Sequence, residues 1–396
     1  MIKDLDDIAW FQEGPGVRNY QYTTNGTKLI NVSNLGGINL NLSNTSRYIS
    51  NEEANGKYRH FLCDAGDLVI ASSGINETSI SEKVSIIKKD DLPLCMNTSV
   101  IRFKPLNNDE LSVKYLYYFF KSDSYKKQIM KLMTGIAQLN YGPSHLHRIK
   151  INYVEKAQQE RITSQLDSLS SLVETQKKQL TLLDELIKSR FIEMFGDPVK
   201  NEKGWDSKML AEITTKIGSG ATPNGGRSSY SSSGISFIRS MNVYDGSFLY
   251  DDLAYLNDEQ AEKLKGVTIL KNDILLNITG ASAARTCIVP DDVLPARVNQ
   301  HVSIIRLKNN INPIFMNRQL FCGFMKDKLL GIGESSGTTR QAITKSDLEN
   351  LYVILPPIEL QNEFASFVKQ VDKSKFVVHS RYFLCDILTL FSSTIA

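Results

Sequence analysis

The side chains of this chain best placed to do chemistry gather in short loops rich in Gly and Ala. In the second half these are Gly218-Ser219-Gly220-Ala221-Thr222-Pro223-Asn224-Gly225-Gly226-Arg227, Arg239-Ser240-Met241-Asn242, Thr279-Gly280-Ala281-Ser282-Ala283-Ala284-Arg285, and the stretch from Ser335 to Gln341. Arg pairs with O6 and N7 of guanine, and Asn or Gln with N6 and N7 of adenine. Ser and Thr serve phosphates or either base, and small residues let backbone come close to a duplex. Recognition of base edges is the chemistry such loops offer. The candidates are Thr222, Arg227, Arg239, Asn242, Arg285, Thr338, Arg340 and Gln341, with Asn31, Asn34, Ser72, Ser73, Gln138, Asn140 and Tyr141 in the first half. The same residue types also cap turns, and surface loops are polar in most proteins, so the loops alone leave both readings open.

Bond-making chemistry finds no foothold. The run from Gly331 to Thr339 has neither the lysine nor the spacing of a phosphate loop and misses G-x-G-x-x-G by one residue. His145 and His147, with His60 and His301 elsewhere, have no Cys or carboxylate at metal-ligand spacing and read as structural or surface histidines. The Asp/Asn-Pro-Pro-aromatic motif that holds a target amine does not occur, Asp197-Pro198-Val199 being the nearest. Pro290-Asp291 is not followed by the acid-x-Lys of a nuclease core, and no Gly-x-Ser-x-Gly elbow occurs. The chain is expected to bind no metal or cofactor and to catalyse nothing alone.

These loops need elements to position them. With 396 residues, 41% hydrophobic and 22% charged, the chain has room for two domains with real cores. A net charge of +3 permits a nucleic-acid partner without arguing for one, so contacts with a polyanion would rest on local placement of Arg and Lys. Five scattered cysteines without C-x-x-C fit a reduced compartment. The acidic N-terminus lacks a signal-peptide core and no apolar run is long enough to span a bilayer, so a cytoplasmic protein with no membrane association is expected.

The chain also says the same thing twice. Gly135 and Leu146 recur as Gly337 and Leu348, and Gln159 as Gln361, at one offset. Gly26-Thr27-Lys28-Leu29-Ile30 with Asn34 matches Gly234-Ile235-Ser236-Phe237-Ile238 with Asn242, and Asp67 to Gly74 matches Asp273 to Gly280. Strands are expected over 28–32, 67–71 and 99–103 and a helix over 113–133. The second half repeats them over 236–239, 273–278, 302–307 and 313–329.

Between the halves, Ile162, Leu166, Leu169, Val173, Gln176, Leu180, Leu183, Ile187, Arg190 and Met194 alternate steps of four and three, the period of a coiled-coil seam. Residues 158–195 predict a rod of roughly 57 Å, stopped by Gly196-Asp197-Pro198. A second helix starting near Glu359 carries Phe364, Val368, Val371 and Val378 as the partner seam. Its agreement with the first fades near Cys385, and Ser392-Ser393-Thr394 is poor helix material. The boundaries read as a domain over 1–154, a helix over 155–198, a second domain over 199–355 and a second helix over 356–396.

Three segments carry a family likeness. One is Gly218 to Gly226 followed by Gly234-Ile235-Ser236-Phe237-Ile238-Arg239-Ser240-Met241-Asn242-Val243. The second is Gln158-Gln159-Glu160-Arg161-Ile162 through Leu183-Asp184-Glu185-Leu186-Ile187-Lys188-Ser189 to Phe195-Gly196-Asp197. The third is Leu355-Pro356-Pro357-Ile358-Glu359-Leu360-Gln361. Over nearly its whole length, with the parts in order, the chain resembles the specificity subunits (HsdS) of type I restriction-modification systems. The resemblance implies an α+β fold, with two pseudo-repeated target recognition domains joined by two long antiparallel coiled-coil helices. Each domain would read one half of a bipartite site in double-stranded DNA. The helices would set the spacer and dock modification (methyltransferase) subunits, two of them, with restriction/translocase subunits joining for cleavage. S-adenosylmethionine and ATP would sit on those partners, with no cofactor on this chain. A rod of that length against a duplex repeat of roughly 34 Å would hold the readers on the order of one and a half turns apart. In this reading Arg340→Ala costs about 1–3 kcal/mol of specific affinity.

The tail after Arg381 departs from the family's closing helix. Gly14-Pro15-Gly16-Val17-Arg18 stands where the second domain has its Thr-Pro loop. A truncated or silent allele acting as a non-recognising scaffold is the alternative that the tail motivates.

Overall fold

The computed structural model describes residues 1–43, 45–133, 140–335 and 342–395, with the side chains of these except 335 and 381–395. It divides into two compact units, residues 1–177 with 380–396, and residues 178–379.

In the first unit Leu68-Val69-Ile70-Ala71 is apolar without a break and buried at every position, the pattern of a strand covered on both faces. It lies inside an antiparallel four-stranded sheet in the order Ala9–Glu13, Val100–Pro105, Leu68–Ala71, Val84–Ile86. A second sheet has Thr27–Ile30 between Tyr48–Ile49 and Leu94–Met96, the last pair parallel. A ribbon of Ile2–Asp4 on Lys150–Asn152 closes the unit.

The second unit repeats each piece. Its four-stranded sheet runs Thr214–Ser219, Val302–Leu307, Ile274–Asn277, Thr286–Ile288. Ile235–Ile238 sits between Ala254–Leu256 and a parallel Ala296–Val298, and Thr268–Ile269 extends that sheet. The closing ribbon pairs Ser207–Met209 with Tyr352–Ile354. An ion pair on a buried aspartate recurs on the main sheet of each unit. Asp67 takes Arg102 at 3.3 Å, and Asp273 takes Arg306 at 2.7 Å. Each aspartate also accepts a turn N–H, from Asp64 and Leu270 respectively.

The expected strands fall within a few residues of those observed. The expected helix over 113–133 is instead two, Val113–Lys121 and Asp123–Leu132. Ser122 between them is extended, and its Oγ accepts the Tyr125 N–H at 3.2 Å, starting a new helix on which Tyr125 is buried. The helix expected over 313–329 breaks likewise, at Cys322, into Pro313–Phe321 and Gly323–Ser335.

The central helix spans Lys156–Phe195 and the distal helix Ile358–Ile395. All ten seam positions of the central helix are buried or half-buried, while neighbours such as Leu172, Leu182 and Leu186 are exposed. Ile162 packs on the first core. Ile187, Phe191 and Phe195 join Phe364, Val368 and Val371 in the second, with Leu183 against them. Within the second unit the helices run antiparallel, as Arg190–Glu363 at 3.0 Å and the Asp184–Lys375 pair require. Of the remaining seam candidates, Leu166 is buried, and Leu169, Val173, Leu180 and Val378 are half-buried. Gly196, at φ +76°, takes the left-handed cap that ends the central helix, its N–H returning to the Ile192 carbonyl at 2.8 Å. The distal helix continues through Ser392-Ser393-Thr394 to Ile395, past the point where propensity alone would end it.

Candidate nucleic-acid interface

The loops of the second unit converge. A cleft of about 750 Å³ is lined by Met241, Tyr244, Thr279, Arg285, His301 and Ala342, among others. Four separate stretches of sequence thus meet on one surface at the end of the four-stranded sheet. The stretch carrying Thr338, Arg340 and Gln341 lies outside the described residues, but its flank is fixed there. Ala342 bridges to Thr279, and the Ile343 N–H donates to the Ile278 carbonyl at 2.8 Å.

Arg285 stacks its guanidinium 4.2 Å from the centre of the Tyr244 ring. Among the described residues nothing takes its N–H donors. Arg227 and Arg239 are bound differently, since both reach the carboxylate of Asp252, at 3.2 and 3.1 Å. The hydrogen bond from Arg239, helped by the charge of Arg227, holds the Asp252 carboxyl below the usual carboxylate range. Arg239 is only 14% exposed and lies over Tyr230, whereas Arg227 is 80% exposed.

Asn242 is fully buried. Its Oδ1 accepts the Arg239 N–H at 3.0 Å and its Nδ2 donates to the carbonyls of Leu249 and Asp251. Asn34, its counterpart, accepts from Asn31 and donates to the Asn41 carbonyl and Thr45. Both amides are spent inside the fold, shaping the turn that presents the loop. Asn31 Oδ1 accepts from Asn97 Nδ2 at 2.9 Å.

In the first unit Ser72 is buried with its Oγ near Glu13, and Ser73 bonds Ser99 through their hydroxyls. Tyr141 is buried, donating its hydroxyl to the Ala71 carbonyl at 2.6 Å and its N–H to the Ser72 carbonyl. Burial pushes its phenol well above the ordinary range. Asn140 is exposed beside it, and Gln138 lies outside the described residues.

Thr222 donates to Gln300 Oε1, Gln300 Nε2 lies 3.0 Å from His301 Nε2, and His301 Nδ1 lies 2.6 Å from Thr279 Oγ1. His301, which the sequence alone reads as structural, and Gln300, which it does not mark, thus belong to the cleft's polar network. The signal was in the repeat: Asn299-Gln300-His301 stands where the first unit has Asn97-Thr98-Ser99, and the Thr279–His301 contact is the counterpart of Ser73–Ser99. Close backbone approach fixes both loops. A Cβ on Gly220 would lie 1.8 Å from the Val298 carbonyl oxygen, and one on Gly14 would lie 2.1 Å from that of Asn97. Among the described residues no three metal-ligating side chains gather, and no helix is long and apolar enough to cross a membrane.

Known proteins share this plan. The MjaIX type I restriction enzyme specificity subunit of Methanocaldococcus jannaschii is 26% identical over 296 residues, which cover 70% of this chain and 66% of that protein. The crystal structure of a type I restriction-modification S subunit from M. genitalium aligns with a TM-score of 0.59 at 14% identity, over 99% of this chain and 94% of its own. A second solved chain, from work on assembly and conformational transition of the type I R-M system, gives 0.54 at 15% identity, over 98% and 97%. These likenesses establish the fold. Residues 2–184 and 202–380 each match the model of the type I restriction modification DNA specificity domain. Two copies spanning both units place the chain in that family: it is a type I restriction-modification specificity protein with two DNA specificity domains.

Proposed function

We propose that each unit reads one half of a bipartite site in double-stranded DNA, and that this chain is the recognition component of a type I complex without chemistry of its own. The observation that carries the reading is the repeated loop cluster at the same end of the same sheet in both units, built from different side chains. Thr279 and His301 stand in one where Ser73 and Ser99 stand in the other. Arg285 precedes the strand Thr286–Ile288 as Lys83 precedes Val84–Ile86, yet Arg285 stacks on Tyr244 while Lys83 donates to the Leu35 carbonyl. Two like frames with unlike readers suit two different half-sites.

Thr222, Arg227, Arg285 and, outside the described residues, Thr338, Arg340 and Gln341 would contact the second half-site. Ser73, Gln138 and Asn140 would contact the first. The paired helices would hold the spacer and seat two modification subunits, with restriction subunits joining them. S-adenosylmethionine and ATP belong on those partners, and the complex works in the cytoplasm. Expressing the chain with its cognate modification subunit in a host free of adenine methylation, then mapping methyladenine across the genome, tests this. A split motif with two unlike halves is the expected result. Methylation without a split motif, or none at all, refutes it.

A further inference from the structure

Gln300 is exposed at the edge of the second unit's cleft, yet its amide is held from both ends. An amide of this kind has two N–H donors and two acceptor lone pairs. Thr222 takes one lone pair by donating its hydroxyl proton to Oε1. Gln300 Nε2 lies 3.0 Å from His301 Nε2 and His301 Nδ1 lies 2.6 Å from Thr279 Oγ1, so when Nε2 accepts the amide N–H the imidazole proton sits on Nδ1 and goes to Thr279. Because both hydroxyls can donate or accept, the reverse arrangement, with the amide turned over and the imidazole proton on Nε2, satisfies the same contacts, and in either one the amide plane is held. One donor and one acceptor remain on the exposed amide. That pair is the complement of adenine in the major groove, whose N7 accepts and whose N6 donates. Orienting the group before contact removes the entropy cost that a free Gln side chain pays on binding.

We propose that Gln300, oriented by Thr222 and His301, selects adenine at one position of the second half-site. This rests on the DNA-recognition reading above. The first unit has Thr98 at this place, equally exposed, whose hydroxyl serves any base. The corresponding position of the first half-site is therefore read loosely.

The test uses the full chain with its cognate modification subunit and methyladenine mapping as the readout. In the wild type one invariant adenine in the second half-site is expected at the Gln300 position. Gln300→Ala should relax that position alone, with discrimination falling tenfold or more and every other position kept. Gln300→Glu leaves only acceptors and should move the preference toward cytosine, whose N4 donates. An unchanged motif in Gln300→Ala overturns the inference while the split wild-type motif keeps the broader reading. A wild type without a split motif defeats the broader reading itself. Loss of all methylation in both variants at an unchanged melting temperature also overturns the inference, because a single-base contact does not abolish binding. The intact first half-site in each variant's motif reports that the protein has folded.

Discussion

Gln361 Oε1 accepts the backbone N–H of Asn312 at 3.0 Å, while its Nε2 donates to the Pro356 carbonyl at 2.8 Å. Gln159 does the same for the first unit, accepting from Ser112 at 2.9 Å and donating to the carbonyls of Glu110 and Val154. Ser112 and Asn312 each begin the helix that follows the main sheet. One buried amide in each half thus welds the first turn of a long helix to the domain that it serves. Gln361→Ala leaves a buried N–H without a partner. A loss of about 1–3 kcal/mol is expected by urea denaturation of the second unit's transition.

Arg285 and Asn242 separate recognition from construction. Arg285→Ala removes a stacked guanidinium whose donors no described residue takes. It should weaken binding to the specific duplex by about 1–3 kcal/mol in fluorescence anisotropy, with melting temperature unchanged. Asn242→Ala should do the reverse, lowering stability by about 1–3 kcal/mol while the methylation motif keeps its sequence. A relaxed motif in Asn242→Ala would return that residue to the readers.

The helix pair is anchored by aromatic packing. Phe364 is fully buried, with its ring centroid 5.5 Å from those of both Phe191 and Phe195. Phe364→Ala should cost about 3–5 kcal/mol, read as an earlier thermal transition. Val378→Ala, at a half-buried position of the same seam, should cost less.

Among the described cysteines, Cys63, Cys95 and Cys287 should be silent in the folded protein. Burial pushes the Cys95 and Cys287 thiols up to about 12 and moves Cys63 higher still. A raised thiol pKa leaves almost no thiolate near neutral pH. Cys322, half-buried and pushed up to about 11, is the exception in access but not in charge. A disulfide reagent at pH 8 should label Cys322 slowly and Cys63, Cys95 and Cys287 only after denaturant is added. Fast labelling of all of them in the native state would contradict the burial described here.

The repeat and the strands were legible because both are periodic. Leu68–Ala71 and Ile274–Asn277 announce buried strands, and the three-and-four spacing from Ile162 to Met194 marks the protected face of the central helix at each of its steps. The break at Ser122 was hidden because Val113 to Met133 keeps one apolar pattern across it, and a serine inside such a run can cap a helix as well as decorate one. Loop polarity was the least legible. Asn31, Asn34 and Asn242 look like readers in the sequence, yet a single string of residues does not say which way an amide points. Gln300 and His301 were missed for the opposite reason, since they flank a strand and match no motif, and only their place beside Asn299 in the repeat marks them.

The globular part of each unit opens and closes on one short ribbon, Ile2–Asp4 against Lys150–Asn152 and Ser207–Met209 against Tyr352–Ile354. The entrance and exit of each reading head are therefore neighbours held by a handful of main-chain bonds. Exchange of a head through that narrow doorway would leave the long helices untouched. Recombination at two short stretches of gene would then hand the protein a new address to read without asking it to learn a new fold.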